Sequence, residues 1–329
     1  MSQSKLISVI VPVYNEEKYI DACIASMLSQ DYPRDAMEWF FIDGMSTDRT
    51  LEILKGYCDQ YPRLIHVLQN PHKTVPYAMN IGIREAQGVY IIRLDAHAEY
   101  AQDYFSKCVE VLDETGADNV GGVMETKSRT PIGKTIAKML SSKFGVGDSH
   151  FRTSGKDGYV DTVPFGAFRR EIFEKVGLYD ERLTRNQDSE LNYRIIKNGG
   201  KIFLSNNIKL AYYCRDSVKG IAKMARLNGK WNIITNKLCP GSMRLRHFVP
   251  FLFVLSLIGL PLMGLIWQGF WWLLGLELVA YFLLDALFSA RIAESAKECL
   301  QLLALFPLFH ICYGWGSLLG LTAVITKHF

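Results

Sequence analysis

Asp95 and His97 stand two residues apart behind the apolar run Val89–Leu94, in the segment Leu94-Asp-Ala-His97. A tight turn there brings a carboxylate oxygen and an imidazole nitrogen to one side, where both can face a divalent cation. That donor pair suits Mn2+ or Mg2+ in an open octahedral site, and such an ion neutralises the phosphates of a diphosphate ligand. Two more polar clusters follow apolar runs in the same way, Tyr14-Asn15-Glu16 and Asp43-Gly44. A fourth, Gln187-Asp-Ser-Glu-Leu191, falls in the helix-period stretch 186–197. It puts Asp188 in a first helical turn, where a carboxylate either stabilises the helix N-terminus or serves as a general base. The chain contains no GxGxxG and no GxxxxGK[ST], so neither a dinucleotide-binding fingerprint nor a P-loop holds its ligand.

The elements that must position these groups are legible in the hydrophobic period. Strands are expected over Leu6–Val13, Glu38–Ile42, Leu64–Leu68 and Val89–Leu94, with helices near Glu17–Ser29, Thr47–Cys58, Val75–Ala86 and Gln102–Glu114. Alternation of this kind implies βαβ units and a mostly parallel sheet with helices on both faces. Ligands bind such sheets beyond the carboxyl ends of the strands. Three polar clusters at three such ends predict one crevice. The apolar start, Leu6–Tyr14, is too short for a signal peptide and offers no small-residue cleavage site, so it reads as the first strand.

Four segments, Val9-Ile-Val-Pro-Val-Tyr-Asn-Glu-Glu17, Ile42-Asp-Gly-Met-Ser-Thr-Asp48, Leu94-Asp-Ala-His97 and Gln187-Asp-Ser-Glu-Leu191, resemble the ordered motifs of family 2 inverting glycosyltransferases with the GT-A fold. The likeness is to the bacterial exopolysaccharide branch, of the succinoglycan type. It implies a Rossmann-like α/β domain, a nucleotide-diphosphate sugar donor such as a UDP-sugar, and a divalent metal. By matching motifs, Pro12, Val13, Tyr14, Glu16 and Asp43 hold the nucleoside, and Asp95 and His97 serve the metal and diphosphate. Asp188 deprotonates the acceptor hydroxyl for a single displacement at the anomeric carbon. The acceptor implied is a saccharide on a polyprenyl diphosphate lipid.

Four departures from the family pattern stand out. The usual Asp-Asp-Gly-Ser is Asp43-Gly-Met-Ser46, the second acid of the metal motif is His97, and the Glu-Asp pair is Gln187-Asp188. The Gln/Arg-x-x-Arg-Trp motif of processive synthases is only approximated by Arg226-Leu-Asn-Gly-Lys-Trp231, so transfer of a single sugar is expected. Arg226, Lys230 and Trp231 are candidates to contact a donor or lipid diphosphate. Two competing readings share part of this pattern: transfer of sugar directly onto polyprenyl phosphate, and an inactive scaffold in a polysaccharide assembly complex.

Composition places this chemistry at a membrane. The 329 residues are 49% hydrophobic and 21% charged, a mixture that fits two unlike halves rather than a uniform soluble or polytopic chain. Eight basic residues between Arg215 and Arg246 face one acid, Asp216, directly before the apolar tail. That position indicates anionic lipid headgroups or phosphates as partners, and no nucleic acid. Segment 217–237 has an amphipathic basic pattern typical of membrane-surface helices. Beyond it, apolar segments near 248–267, 270–290 and 300–325 are expected to insert, the first two as a hairpin with Trp267, Trp271 and Trp272 at its turn. The expected domains are 1–214, catalytic, 215–246, interfacial, and 247–329, transmembrane. The positive-inside rule, applied to Arg244, Arg246, Arg291 and Lys297, places the catalytic part on the cytoplasmic side of a bacterial inner membrane, with a multi-pass tail. The stretch Gly145–His150 reads as a surface loop. Seven scattered cysteines without a CxxC pair fit reduced thiols in the cytosol.

Overall fold

The computed structural model describes residues 5–153 and 156–326. In chain order its elements are β1 (Ile7–Val13), α1 (Ile20–Leu28), β2 (Met37–Asp43), α2 (Thr50–Gln60), β3 (Ile65–Gln69), α3 (Val75–Glu85), β4 (Tyr90–Arg93), β5 (Ala98–Tyr100), α4 (Tyr104–Thr115) and β6 (Asn119–Lys127). Three short helices follow, α5 (Pro131–Leu140), α6 (Lys143–Val146) and α7 (His150–Thr153). Then come β7 (Gly158–Tyr159), β8 (Ala167–Arg169), α8 (Ile172–Val176), α9 (Gln187–Lys197) and β9 (Ile202–Tyr213), and the long helices α10 (Val218–Leu238), α11 (Val249–Gly264), α12 (Gly269–Ile292) and α13 (Ala296–Thr326). The chain forms two compact units. One comprises the residues up to Glu125 and the return through Tyr212; the other comprises Thr126–Thr153 and everything from Tyr213 onward.

The first unit is built on a nine-stranded sheet in the order β3-β2-β1-β4-β8-β6-β9-β5, with β7 on β9. Strands β1 and β2 are almost continuous apolar runs, as strands covered on both faces must be. Their register pairs Ile7 with Met37 and Val13 with Asp43, so both leave the sheet at the same level. Helix α3 lies close on β1 at Gly82, where an added Cβ would stand 2.7–3.0 Å from the side chain of Ile10. The expected mostly parallel sheet is present: β3-β2-β1-β4 pair in parallel, and β6 runs in the same direction beside β9, with Asp118 N donating to Lys201 O at 2.8 Å at one end and Cys214 N to Lys127 O at 3.0 Å at the other. The short strands β5, β7 and β8 run against it, in the antiparallel pairs β4–β8, β6–β8, β5–β9 and β7–β9. A parallel neighbour needs a crossover that returns the chain to the same edge. Strand β8 instead re-enters beside β4 from the opposite end.

In the second unit, the loop expected at 145–150 is present at 147–149, between α6 and α7, and Ser142 Oγ caps α6 by accepting from Gly145 N at 3.1 Å. Helix α10 packs along α13, and the apolar face expected at the membrane surface is occupied by that packing: Ile221, Ala225, Gly229 and Asn232 are buried. Close approach needs the glycines of both helices, because a Cβ on Gly229 would strike the Tyr313 carbonyl and one on Gly316 the Arg226 carbonyl. Ser256 Oγ donates to Glu277 Oε1 at 2.6 Å to join α11 to α12, and Lys138 on α5 pairs with Glu298 on α13 at 2.8 Å.

Three inserted segments were expected; among the described residues two helices are long and apolar enough to cross a membrane, α12 with 24 residues and α13 with 31. Helix α11 has 16 residues and a length of about 24 Å, short of the ~30 Å hydrocarbon core. Pro307 lies inside α13 without dividing it. In the most apolar stretch of α12 only 11% of residues are buried, against 44% in α13. Apolar surface bare to this extent marks a site of membrane or protein association. All seven cysteines are free thiols.

Candidate active site

The ends of β1 and β2 form one stapled wall. Gly44 N donates to Val13 O at 2.8 Å, and the buried Asp43 carboxylate accepts from Ser46 N at 3.2 and 3.3 Å. Asn15 and Met45 turn the chain with positive φ, 56° and 63°. Asn15 Oδ1 accepts from Thr47 N at 2.8 Å while Asn15 N donates to Ser46 Oγ at 3.0 Å. Glu16 N donates to Thr50 Oγ1 at 2.7 Å, and Thr50 in turn donates to Asp48 Oδ1 at 2.6 Å. The Ser-Thr-Asp of the second motif therefore works by tying the two turns together. Of the residues expected to hold a nucleoside, Tyr14 stands 47% exposed, Pro12 is half-buried, and Val13 is buried with its carbonyl taken by Gly44 N.

At the end of β4, Asp95 N donates to the Tyr100 hydroxyl at 2.7 Å, which fixes the turn. Burial, and after it the Asp95 carboxylate, pushes that hydroxyl well above its ordinary pKa. His97 Nδ1 lies 3.1 Å from Asp95 Oδ1 and 3.4 Å from Glu16 Oε1. Glu16 is thus brought to the Asp95–His97 pair. Two carboxylates and an imidazole match the donor types that Mn2+ or Mg2+ accepts. Their present separations are hydrogen-bonding ones, and among the described residues no three such side chains stand at ligating distance. Asp95 and His97 fit a metal whose remaining positions are filled by phosphate oxygens and water.

Asp188 is the second residue of α9, which starts after Asn186 in a left-handed conformation. Its carboxylate, one-third exposed at 32%, pairs with the guanidinium of Arg93, whose side chain is 8% exposed. Burial opposes the charge on Arg93; Asp188, with Tyr179 and Asp95, more than offsets it and holds the group charged. Arg93 Nε is buried without a hydrogen-bond acceptor. The buried Tyr179 hydroxyl is raised far above its usual range by desolvation and then by Asp188. Asn80 fixes the Tyr179 backbone from α3, accepting from Tyr179 N and donating to Tyr179 O at 2.9 Å each. Asn119 and Asn192 hold the other flank of α9, with Asn119 Nδ2 donating to Asn192 Oδ1 at 2.8 Å. Sequence reasoning missed Arg93 and Tyr179. The available signal was a lone charge in the otherwise apolar strand Tyr90-Ile-Ile-Arg-Leu94.

Arg226, Lys230 and Trp231 belong to the second unit and lie along α10, Arg226 exposed and the other two half-buried.

Strand ends carrying an acid–imidazole cluster, on a mixed sheet with a carboxylate-bearing helix, define a GT-A type α/β enzyme. The model of glycosyl transferase family 2 matches residues 8–177. A protein of Methanococcus voltae named dolichyl N-acetyl-alpha-D-glucosaminyl phosphate 3-beta-D-2,3-diacetamido-2,3-dideoxy-beta-D-glucuronosyltransferase is 30% identical over 96% of this chain and 97% of its own. The succinoglycan biosynthesis protein ExoA of Rhizobium meliloti (strain 1021) is 34% identical over 65% of this chain and 66% of its own. The mannosyltransferase PcManGT from Pyrobaculum calidifontis, solved with GDP-Man and Mn2+, shares the fold with a TM-score of 0.59 at 20% identity, over 99% of this chain and 88% of that one. The chain belongs to glycosyl transferase family 2, and it is a glycosyltransferase.

Proposed function

We propose that the enzyme transfers one sugar, with inversion, from a nucleotide-diphosphate sugar to a lipid-linked saccharide in exopolysaccharide or surface-glycan synthesis at the cytoplasmic face of a membrane. The acceptor hydroxyl oxygen bonds to the anomeric carbon as the bond from that carbon to the diphosphate oxygen breaks. The nucleoside diphosphate leaves with the electron pair, and Asp188 takes the hydroxyl proton. General-base help of this kind contributes about 10²–10⁴-fold. Tyr14 stacks on the base, with Asp43 and the Pro12–Val13 backbone beside it, and Arg226, Lys230 and Trp231 serve the diphosphate of donor or lipid. Asp95 and His97, with Glu16 beside them, hold the metal, which when bound offsets charge on the leaving diphosphate.

One observation carries this reading: within a single unit, the Glu16–Asp95–His97 cluster and Asp188 are bridged by Arg93, which lies two residues from Asp95 and pairs with Asp188. The acceptor class is supported by the relative from Methanococcus voltae, whose name specifies a dolichyl-linked sugar phosphate. Exposed apolar surface on α12 and α13 supports membrane anchoring. The test is turnover by the full chain of a panel of UDP-, GDP- and TDP-sugars with membrane lipid extract and Mn2+, Mg2+ or EDTA. Consumption of one donor with Mn2+ or Mg2+, abolished by EDTA and by Asp188→Asn, is the expected result. No turnover of any donor, or an undiminished Asp188→Asn variant, overturns it.

A further inference from the structure

We propose that the second unit enters only one leaflet of an anionic bilayer: the α11–α12 hairpin dips in and returns, while α13 lies in the headgroup plane beside α10. This rests on the membrane anchoring proposed above and replaces a tail that crosses the bilayer with one that does not.

The packing of α10 decides the orientation of α13. Ser317 Oγ of α13 donates to Gly229 O at 3.3 Å, and the backbone at Arg226 and Lys230 meets Gly316 and Gly320. The two helices therefore run side by side, in the same direction, along the second half of α13. Lys219, Lys223, Arg226 and Lys237 on α10 are exposed. A spanning α13 would carry these four cations into hydrocarbon beside it, where basic side chains are strongly disfavoured. Laid in the headgroup plane, the same cations face anionic lipid. The outward stripe of α13 fits that placement, since Leu300, Ile311, Trp315 and Ile325 are exposed and the opposite face is buried against protein. An apolar stripe on one side only is the mark of an in-plane helix.

The depth of the hairpin follows. Helix α13 crosses it near its base, where Gly314 packs on Pro250 and Val254 of α11, and where the Tyr281 hydroxyl of α12 hydrogen-bonds His310 Nδ1 at 2.8 Å. From Val254 to the end of α11 at Gly264 is 10 residues, about 15 Å of helix, and from Tyr281 back to the start of α12 at Gly269 is 12 residues, about 18 Å, both less than the ~30 Å of a hydrocarbon core. That projecting part carries strongly exposed apolar side chains, Leu265 79%, Ile266 89% and Trp272 83%. With α13 at the surface, Trp267, Trp271 and Trp272 end near the middle of the bilayer, not at its far side.

Tryptophan quenching by brominated lipids reads this depth in the unmodified protein, reconstituted in phosphatidylglycerol-containing vesicles. The signal of the cluster is the difference between wild type and the Trp267, Trp271, Trp272→Phe variant. Strongest quenching by bromine near the acyl-chain ends is expected; strongest quenching by bromine near the headgroups overturns the proposal. A second measurement uses protease access to tags at both termini in sealed vesicles of one orientation. Cleavage of both tags from the same face, together with no labelling of Ile266→Cys by an impermeant thiol reagent from either face, is expected. Labelling of Ile266→Cys from the far side, or tags on opposite faces, overturns it. Release of the whole chain by alkaline carbonate would refute the anchoring itself.

Discussion

Removing either member of the Arg93–Asp188 pair has unequal consequences that follow from burial. In Asp188→Asn the guanidinium, only 8% exposed, keeps its charge and loses its counter-ion. Orphaning a buried charge costs about 3–5 kcal/mol. In Arg93→Met the carboxylate left behind is 32% exposed, so water solvates it in part, and the cost falls to about 1–2 kcal/mol, within the range of one charge-assisted hydrogen bond. The double variant removes both charges and returns to within about 1 kcal/mol of Arg93→Met. Chemical denaturation of the full chain in detergent measures all three. Catalysis gives a second reading. If Arg93 positions Asp188, Arg93→Met lowers kcat by about 10²-fold through misplacement of the base, with little change in donor KM, and in an Asp188→Asn background, where the base is already gone, it lowers kcat little further. A stability order with Arg93→Met below Asp188→Asn, or effects of the two substitutions on log kcat that simply add, would refute the pairing as the organising contact of the site.

Two further predictions concern the frame. Gly82→Ala sets a methyl group 2.7–3.0 Å from Ile10 and should cost about 1–3 kcal/mol, part of which Ile10→Val restores by removing the Cδ1 contact; thermal unfolding of the two variants and their combination checks this. Asp48→Ala removes the acceptor for Thr50 N at 3.0 Å and Glu17 N at 3.2 Å, and should cost about 1 kcal/mol, with donor KM rising as the two turns separate. Desolvation opposes the ionised Asp48 carboxylate, but its hydrogen bonds to Thr50 and the Glu17 amide outweigh that and hold its pKa below the ordinary value. Its stabilisation is therefore complete above that ordinary value and disappears as pH falls through the depressed one. Acid titration of stability in wild type and Asp48→Ala, which should converge at low pH, is the measurement.

What the sequence disclosed and what it concealed divide along a physical line. The β1, β2 and β4 ends were legible because parallel strands buried on both faces leave long apolar runs, so the first polar residues after them stand out. The antiparallel strands were not, since β5, β7 and β8 have three, two and three residues, too few to show a period of two. Pairing alone makes them strands. Arg93 was hidden by the same rule that revealed Asp95: within Tyr90–Leu94 it looks like an exception to a buried strand, and only Asp188, 95 residues later, explains why a cation is kept there. For the tail, run length marked the apolar segments correctly but carried no information on orientation. A helix of 31 residues is long enough to cross a bilayer, yet Gly316 and Gly320 seat it against a helix lined with lysine and arginine. Hydropathy of one segment sums its own residues, whereas the medium around it is set by the neighbour it packs on. The charges that settle where α13 lies are therefore 80 to 100 residues away in the chain and one helix diameter away in space.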